Sequence, residues 1–238
     1  MKEGRGKNRS PGEYRKIQNW IGSTSKIEEA SHIPPSPDKL DEYMSNLEKY
    51  INDDLKDDID PLIKIAVIHA QFESIHPFLD GNGRVGRILI MLYLLDKKII
   101  TKPAFFESEE LEKNKFKYYS MLNNLRTEEP KWEDWINFFL ESVIRQAEKN
   151  IIKLRKVEEL YNEVCDYTEK NNIKTDYVRA IFKRPVFMIK TLENDLNLSY
   201  SSVKSNIKKL IGGGKIFTNG NRRNTMYFFT DLLDILRS

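Results

Sequence analysis

Cysteine is nearly absent, with one residue, Cys165, in a chain of 238. That excludes a disulfide framework and a cysteine-based zinc site, and it suits a reducing compartment, so a cytoplasmic location is expected. Long apolar runs are also missing. The longest, Ile88 to Leu95, falls well short of the roughly 20 residues that cross a bilayer, so no membrane partner is expected. The N-terminal MKEGRGKNRSPGEY is basic but lacks the apolar stretch of a secretory signal. No Gly-Lys-Ser/Thr occurs anywhere, which excludes a Walker phosphate loop. Internal repeats and low-complexity tracts are absent as well.

The charge that is present is unevenly placed. Net charge is only +3, yet residues 151–238 hold 16 Lys and Arg against 10 Asp and Glu, and the rest holds 23 against 26. Between 183 and 230 the count is 9 against 2. A mildly acidic body thus carries a basic C-terminal module, and the two parts are expected to meet different partners.

The body reads as helical almost throughout. Residues 1–14 look irregular, and a polar stretch from Gly22 to Pro37 reads as a loop or exposed hairpin. Asp38 is expected to cap an amphipathic helix carrying Leu40, Tyr43, Met44, Leu47 and Ile51. Asp60-Pro61 is a cap followed by a proline at the first helical position, and it opens an apolar, buried helix. Further helices fit from about Arg84 to Asp96 and over 108–126, 131–149 and 150–170, the last two continuous or broken near Asn150. In the basic module, Ile189–Asp195, a turn at Leu196–Leu198 and a serine-capped Ser199–Ile211 form a helix-turn-helix. Gly212-Gly-Gly214 stops the second helix. Two extended segments, Lys215–Phe217 and Met226–Phe229, flank Asn219-Gly220, a hairpin signal.

The chemistry concentrates in His76-Pro-Phe-Leu-Asp-Gly-Asn-Gly-Arg-Val-Gly-Arg87. Gly81, Gly83 and Gly86 permit a tight turn with close backbone approach, and the helix that follows presents unpaired N–H groups and its positive end, which makes an anion cradle. Arg84 and Arg87 add forked donors suited to phosphate oxygens. Asp80 is a hard oxygen ligand appropriate to Mg2+, and His76 can accept a proton near neutrality. These parts describe nucleotide phosphate chemistry. The stretch Gly81–Gly86 also satisfies G-x-G-x-x-G, but no strand precedes it and no second strand with an acidic end follows, so a dinucleotide fold is rejected.

The twelve residues resemble the Fic-domain signature H-x-F-x-D/E-G-N-G-R-x-x-R, with every specified position present. Pro11–Arg15, Gln18–Gly22, His32–Pro35, Tyr118-Tyr119 and Trp132–Leu140 resemble further landmarks, so the likeness covers about 11–145. It implies a mostly α fold: a Fic-type helical bundle with a small flap hairpin, plus a C-terminal winged helix-turn-helix module. The expected divisions are a catalytic domain over 1–145 with a flap at 22–35, a connecting helix or helices over 146–180, and the winged module over 181–238.

The implied activity is transfer of AMP from MgATP to a Tyr, Thr or Ser hydroxyl of a target protein, or of the chain itself, releasing pyrophosphate. By motif position His76 is the general base, Asp80 the Mg2+ ligand, and Asn82 with the Gly81 and Gly83 backbone the α-phosphate cradle. Arg84 meets the β-phosphate and Arg87 the γ-phosphate, while Phe78 is a buried anchor. The flap, with Ser31, His32 and Ile33, would pair with an extended target segment, and Tyr118 and Tyr119 would lie near the nucleoside. On the basic module Lys204, Lys208, Lys209, Arg222 and Arg223 are candidate DNA phosphate contacts, against a protein-docking or homodimer surface. Thr24-x-x-x-Glu28-Glu29 comes near the family's inhibitory S/T-x-x-x-E-G/N but lies within the flap, so it reads as coincidence and the chain is expected to begin after such a helix. Transfer of UMP, and a nucleotide-sensing DNA-binding regulator, are the alternative functions. Simpler readings stand beside these: His32 as a surface loop residue, His69 as a satisfied core histidine, Cys165 as incidental, and 145–170 as a solvated helix face.

Overall fold

A computed structural model describes residues 12–22, 26–52, 59–103, 108–221 and 223–238. The start of the Pro11–Arg15 landmark, the flap residues 23–25 (with the Thr24 of the inhibitory-like pattern) and Arg222 lie outside the described residues. The chain divides into two compact units, Met1–Glu148 and Lys149–Ser238.

In the first unit a 3-10 turn at Pro37–Lys39 precedes α1, Leu40–Asn52. Asp38 therefore does not cap the α-helix. It lies inside the 3-10 turn behind Ser36, whose hydroxyl, by hydrogen bonding, holds the Asp38 carboxyl below its usual range. Helix α2, Pro61–Ile75, starts as the sequence predicts: the Asp60 carboxylate accepts from the Leu62 N–H at 2.8 Å, and Pro61 needs no donor there. It is apolar on nearly every side, and Ile65, Ala66, Ile68, Ala70 and Phe72 are all buried. Helix α3, Asn82–Asp96, begins one residue after Gly81, whose φ of 87° belongs to the left-handed region.

The expected helix over 108–126 is two, α4 at Ser108–Lys113 and α5 at Lys115–Asn124. Asn114 separates them: its side-chain amide donates to the Glu110 carbonyl at 2.9 Å, so it competes for an acceptor the backbone ladder uses. The helix α6 runs unbroken from Trp132 to Lys170, through Asn150. Trp135 and Phe139 are fully buried in the first core, and the Trp135 indole donates to the Ala66 carbonyl at 2.9 Å.

The second unit has its own core. Leu160 and Val164 of α6 join Ile173, Tyr177, Val178 and Ile181, so the end of the expected connector packs into this unit. Its order is α7 (Asp176–Lys183), β1 (Val186–Phe187), α8 (Ile189–Leu196), α9 (Tyr200–Gly212), β2 (Phe217–Thr218), β3 (Tyr227–Phe228) and α10 (Thr230–Arg237). The strands form an antiparallel sheet in the order β1-β3-β2, with Val186 opposite Phe228 and Phe217 also opposite Phe228. Strand β1 and helix α10 had no counterpart in the sequence expectations. The Asn219-Gly220 pair opens an eight-residue connection rather than a two-residue turn, with the Asn219 carboxamide oxygen accepting from the N–H groups of Asn221 and Met226 at 3.2 Å. The Ser199 cap forms as expected, accepting from the Ser202 N–H. No described helix is long and apolar enough to cross a membrane.

Candidate active site

The signature loop joins α2 to α3, and its ends are set by backbone conformation. His76 is the C-cap of α2 in the left-handed region, with φ 49° and ψ 58°, and its N–H closes the helix on the Phe72 carbonyl. Left-handed backbone on a non-glycine residue stores strain and is held only by its surroundings. Here the holder is Arg15, itself 2% exposed. Its Nε donates to the His76 carbonyl at 3.1 Å, another guanidinium nitrogen to the Pro35 carbonyl, and its backbone N–H to the Pro77 carbonyl at 2.9 Å. One side chain thus ties the N-terminal segment, the flap root and the signature loop together.

The loop is closed from its other end by Asn82. Its carboxamide oxygen accepts from the Phe78 N–H at 2.9 Å and its amide donates to the Phe78 carbonyl at 2.7 Å, with the residue 2% exposed. Asn19 donates to the same carbonyl at 3.2 Å. The Asn82 side chain, expected at the α-phosphate, is occupied in shaping the loop. Phe78, expected to be buried, is half-buried and packs on Tyr14 and Phe72. Gly81 and Gly83 bracket the first residue of α3, and the exposed pair Asp80 and Arg84 stand 3.7 Å apart, a surface contact worth little by itself. Arg87 lies one turn further along α3, with Nη1 3.4 Å from where a Gly83 Cβ would sit.

His76 is half-buried, with its Nδ1 enclosed and without a hydrogen bond of ordinary geometry. Burial drives its pKa down to about 4 against an opposing pull from the Glu73 backbone, and the positive field of His32, Arg126 and Arg15 adds to the lowering. At neutral pH the ring is uncharged and can accept a proton.

Among the described residues of the flap, an antiparallel bridge joins Ile21 and His32. The Ile21 N–H donates to the His32 carbonyl at 2.9 Å, and the Ser31 hydroxyl donates to the Ile21 carbonyl at 2.9 Å. His32 is no plain surface residue. Its Nε2 donates to the Ser74 carbonyl at 2.8 Å, fastening the flap to α2, and burial lowers its pKa. Ile33 is exposed beside it, lining a groove of about 380 Å³ with Pro35, Lys39, Tyr43 and Ser74.

Tyr118 and Tyr119 separate in role. Tyr118 is buried, bonded through its hydroxyl to His69 Nε2 at 3.0 Å, whereas Tyr119 is 42% exposed and meets Tyr118 edge to face. His69 is wholly buried against Trp135 and Phe139, and burial takes its pKa to about 4, so it is a core histidine. In the second unit Lys204 and Lys208 are exposed on α9, Lys204 lying over the Tyr200 ring, and Arg223 is exposed in the long connection. Lys209 instead donates to the Asn171 carbonyl at 2.9 Å.

Sequence reasoning passed over Glu73 and Arg126. Arg126 carries no motif; it reaches the site only because the turn after α5 folds onto α2, where its guanidinium donates to Ser74 Oγ and to the Glu73 carbonyl, both at 3.3 Å. Glu73 did leave a signal: it is the one acid in the apolar segment from Leu62 to Ile75.

Residues 2–94 match the profile of the Fic/DOC family. A protein adenylyltransferase Fic of Drosophila grimshawi is 33% identical over 84 residues, covering 35% of this chain and 16% of the relative. The Drosophila melanogaster protein of that name is 34% identical over 84 residues, covering 35% of this chain and 15% of the relative. The match thus spans about a sixth of the length of these curated relatives. Among solved structures, a Fic family protein from Desulfovibrio desulfuricans G20 is similar with a TM-score of 0.52 and 19% identity, over 92% of this chain and 62% of the other, a likeness of fold.

Proposed function

From the premise that the chain carries a Fic/DOC-family domain over residues 2–94, we propose that it transfers AMP from MgATP to a hydroxyl side chain of a protein and releases pyrophosphate. The observation that carries this reading is the uncharged His76 imidazole, its backbone carbonyl held by Arg15, in a loop whose far side is the N-terminus of α3. His76 takes the proton as the target oxygen attacks the α-phosphorus. The new O–P bond forms, the bridging P–O bond breaks, its electron pair leaves with pyrophosphate, and the proton stays on the imidazole. Backbone N–H groups after Gly81 and the guanidinium groups of Arg84 and Arg87 face the charge that develops. Asn82 serves by fixing the loop.

Asp80 would hold Mg2+. It is an exposed single carboxylate, and among the described residues no group of three His, Cys, Asp or Glu could hold an ion unaided. That set fits a cation that keeps several waters and is bound through one carboxylate plus substrate phosphates, where it would neutralise phosphate charge. The flap edge at Ser31–Ile33 is the docking strand for the target in this reading.

For the second unit, the order helix, strand, helix, helix, strand, strand supports a winged helix, with Lys204, Lys208 and Arg223 as the phosphate-facing candidates. The deciding experiment is intact-mass and peptide mass spectrometry after incubation with MgATP, alone and with cell extract from which ATP has been removed. An AMP increment on a hydroxyl, lost in His76→Ala while nucleotide binding persists, is expected. A UMP increment from MgUTP in preference changes the donor. No increment with either nucleotide overturns the transferase reading.

A further inference from the structure

Glu73 has no place in that chemistry, yet the fold makes room for it. It lies on α2 one turn before His76, is 5% exposed, and its Oε1 is buried without a hydrogen-bond partner. A buried carboxylate in that condition costs free energy, because the water it lost is not replaced. Glycine on α3 accommodates it. A Cβ at Gly86 would lie 2.6 Å from Oε1, and a Cβ at Gly83 would lie 3.8 Å from Oε1 and 3.4 Å from Arg87 Nη1. The carboxyl group and the Arg87 guanidinium therefore flank the same glycine at the start of α3.

The charged and titratable groups around Glu73 are few. Its own helix supplies His69 and His76, both held uncharged by burial. Helix α3 supplies Arg87, α5 supplies Tyr118, and the following turn supplies Arg126, bonded to the Glu73 carbonyl. The two arginines favour the ionised carboxylate, but burial outweighs them and raises its pKa to about 7.

We propose that Glu73, buried beside the same glycine of α3 as the Arg87 guanidinium, takes up a proton from solvent when a nucleotide polyphosphate binds that arginine. This rests on the nucleotide-binding part of the proposed function. The polyphosphate claims the guanidinium and adds negative charge close by, and both effects disfavour an ionised carboxylate in a site with little water. The step balances: one solvent proton joins one carboxylate oxygen and no other bond changes. Because one proton enters with the ligand, affinity falls with rising pH above neutrality, by up to about tenfold per pH unit.

The test is calorimetric titration of the full chain with the Mg2+ complex of α,β-methylene-ATP at pH 7.5, in buffers of different ionisation enthalpy. The wild type is expected to take up roughly half a proton more per nucleotide than Glu73→Gln, and the variant to bind with a flatter pH dependence. A merely structural role for Glu73 would not move the proton count. As a second measurement independent of any variant, the wild type labelled with 13C at glutamate carboxyl carbons should show one carboxyl whose titration midpoint rises by about a unit or more when the analogue is added. Binding with equal proton counts in both proteins, or without a shifted carboxyl, overturns this proposal alone. Failure of the analogue to bind at all overturns the nucleotide reading and this proposal with it.

Discussion

Replacing Asn82 separates its part in shaping the loop from any part in the proposed nucleotide binding. In Asn82→Ala the Phe78 carbonyl keeps the bond from Asn19, but the Phe78 N–H loses the Asn82 oxygen and the amide no longer braces the loop. Two hydrogen bonds at about 1 kcal/mol each, plus about 1 kcal/mol for a poorly satisfied buried N–H, less roughly 0.5 kcal/mol for the better helix former, leave a loss of about 2–3 kcal/mol. In a unit of this size that lowers the melting temperature by roughly 5–10 °C. Asn82→Asp keeps the acceptor and places negative charge in the first turn of α3, worth about 0.3–1 kcal/mol, but sets an oxygen against the Phe78 carbonyl. Its stability should fall between the other two. Nucleotide binding should follow a different order, with Asp the weakest because its charge repels phosphate. Tryptophan fluorescence on heating reads the first unit separately, since Trp20, Trp132 and Trp135 all lie within it. An Asn82→Ala chain that melts within about 1 °C of the wild type would refute the reasoning.

The low pKa of His76 sets the acid side of the rate profile. The proton-accepting form is present above about pH 4, so transfer measured by initial rates should hold nearly level from pH 8 down to about 5 and decline below, and an acid limb centred near 6.5 counts against it. The same depression, shared by His69, makes the unfolded chain bind more protons between about pH 4 and 6.5, so stability should rise with pH across that window. In the second unit a Cβ at Gly213 would lie 2.2 Å from the Tyr167 ring, whose hydroxyl donates to the Lys209 carbonyl. Gly213→Ala should cost about 1–3 kcal/mol, seen as faster amide hydrogen exchange in α9, with Tyr167→Ala in the same chain relieving the clash; unchanged exchange in the single variant would count against it.

Much of the site was legible because its parts are neighbours in the chain. His76, Asp80, the glycines and the two motif arginines fall within twelve residues, so their grouping on one loop between α2 and α3 is readable without any tertiary knowledge. The Asp60-Pro61 and Ser199 caps were legible for the same reason, since each is satisfied within three residues. The errors fell where a local signal met a competing partner. Asp38 yielded the α-helix start to a 3-10 turn, Asn114 split the 108–126 helix, and Asn219 used its side chain to span a longer connection than its dipeptide suggests.

The sequence by itself determined the mostly helical class, the basic C-terminal part and the position of the signature loop between two apolar helices, because those depend on composition, periodicity and residues close along the chain. Tertiary structure alone decided what makes the loop work. Arg15 reaches His76 across 61 residues and Arg126 reaches Glu73 across 53. Such contacts obey no spacing rule, and the low pKa of His76 and the raised one of Glu73 arise from burial, which exists only once α2, α3 and the turn after α5 have closed around them.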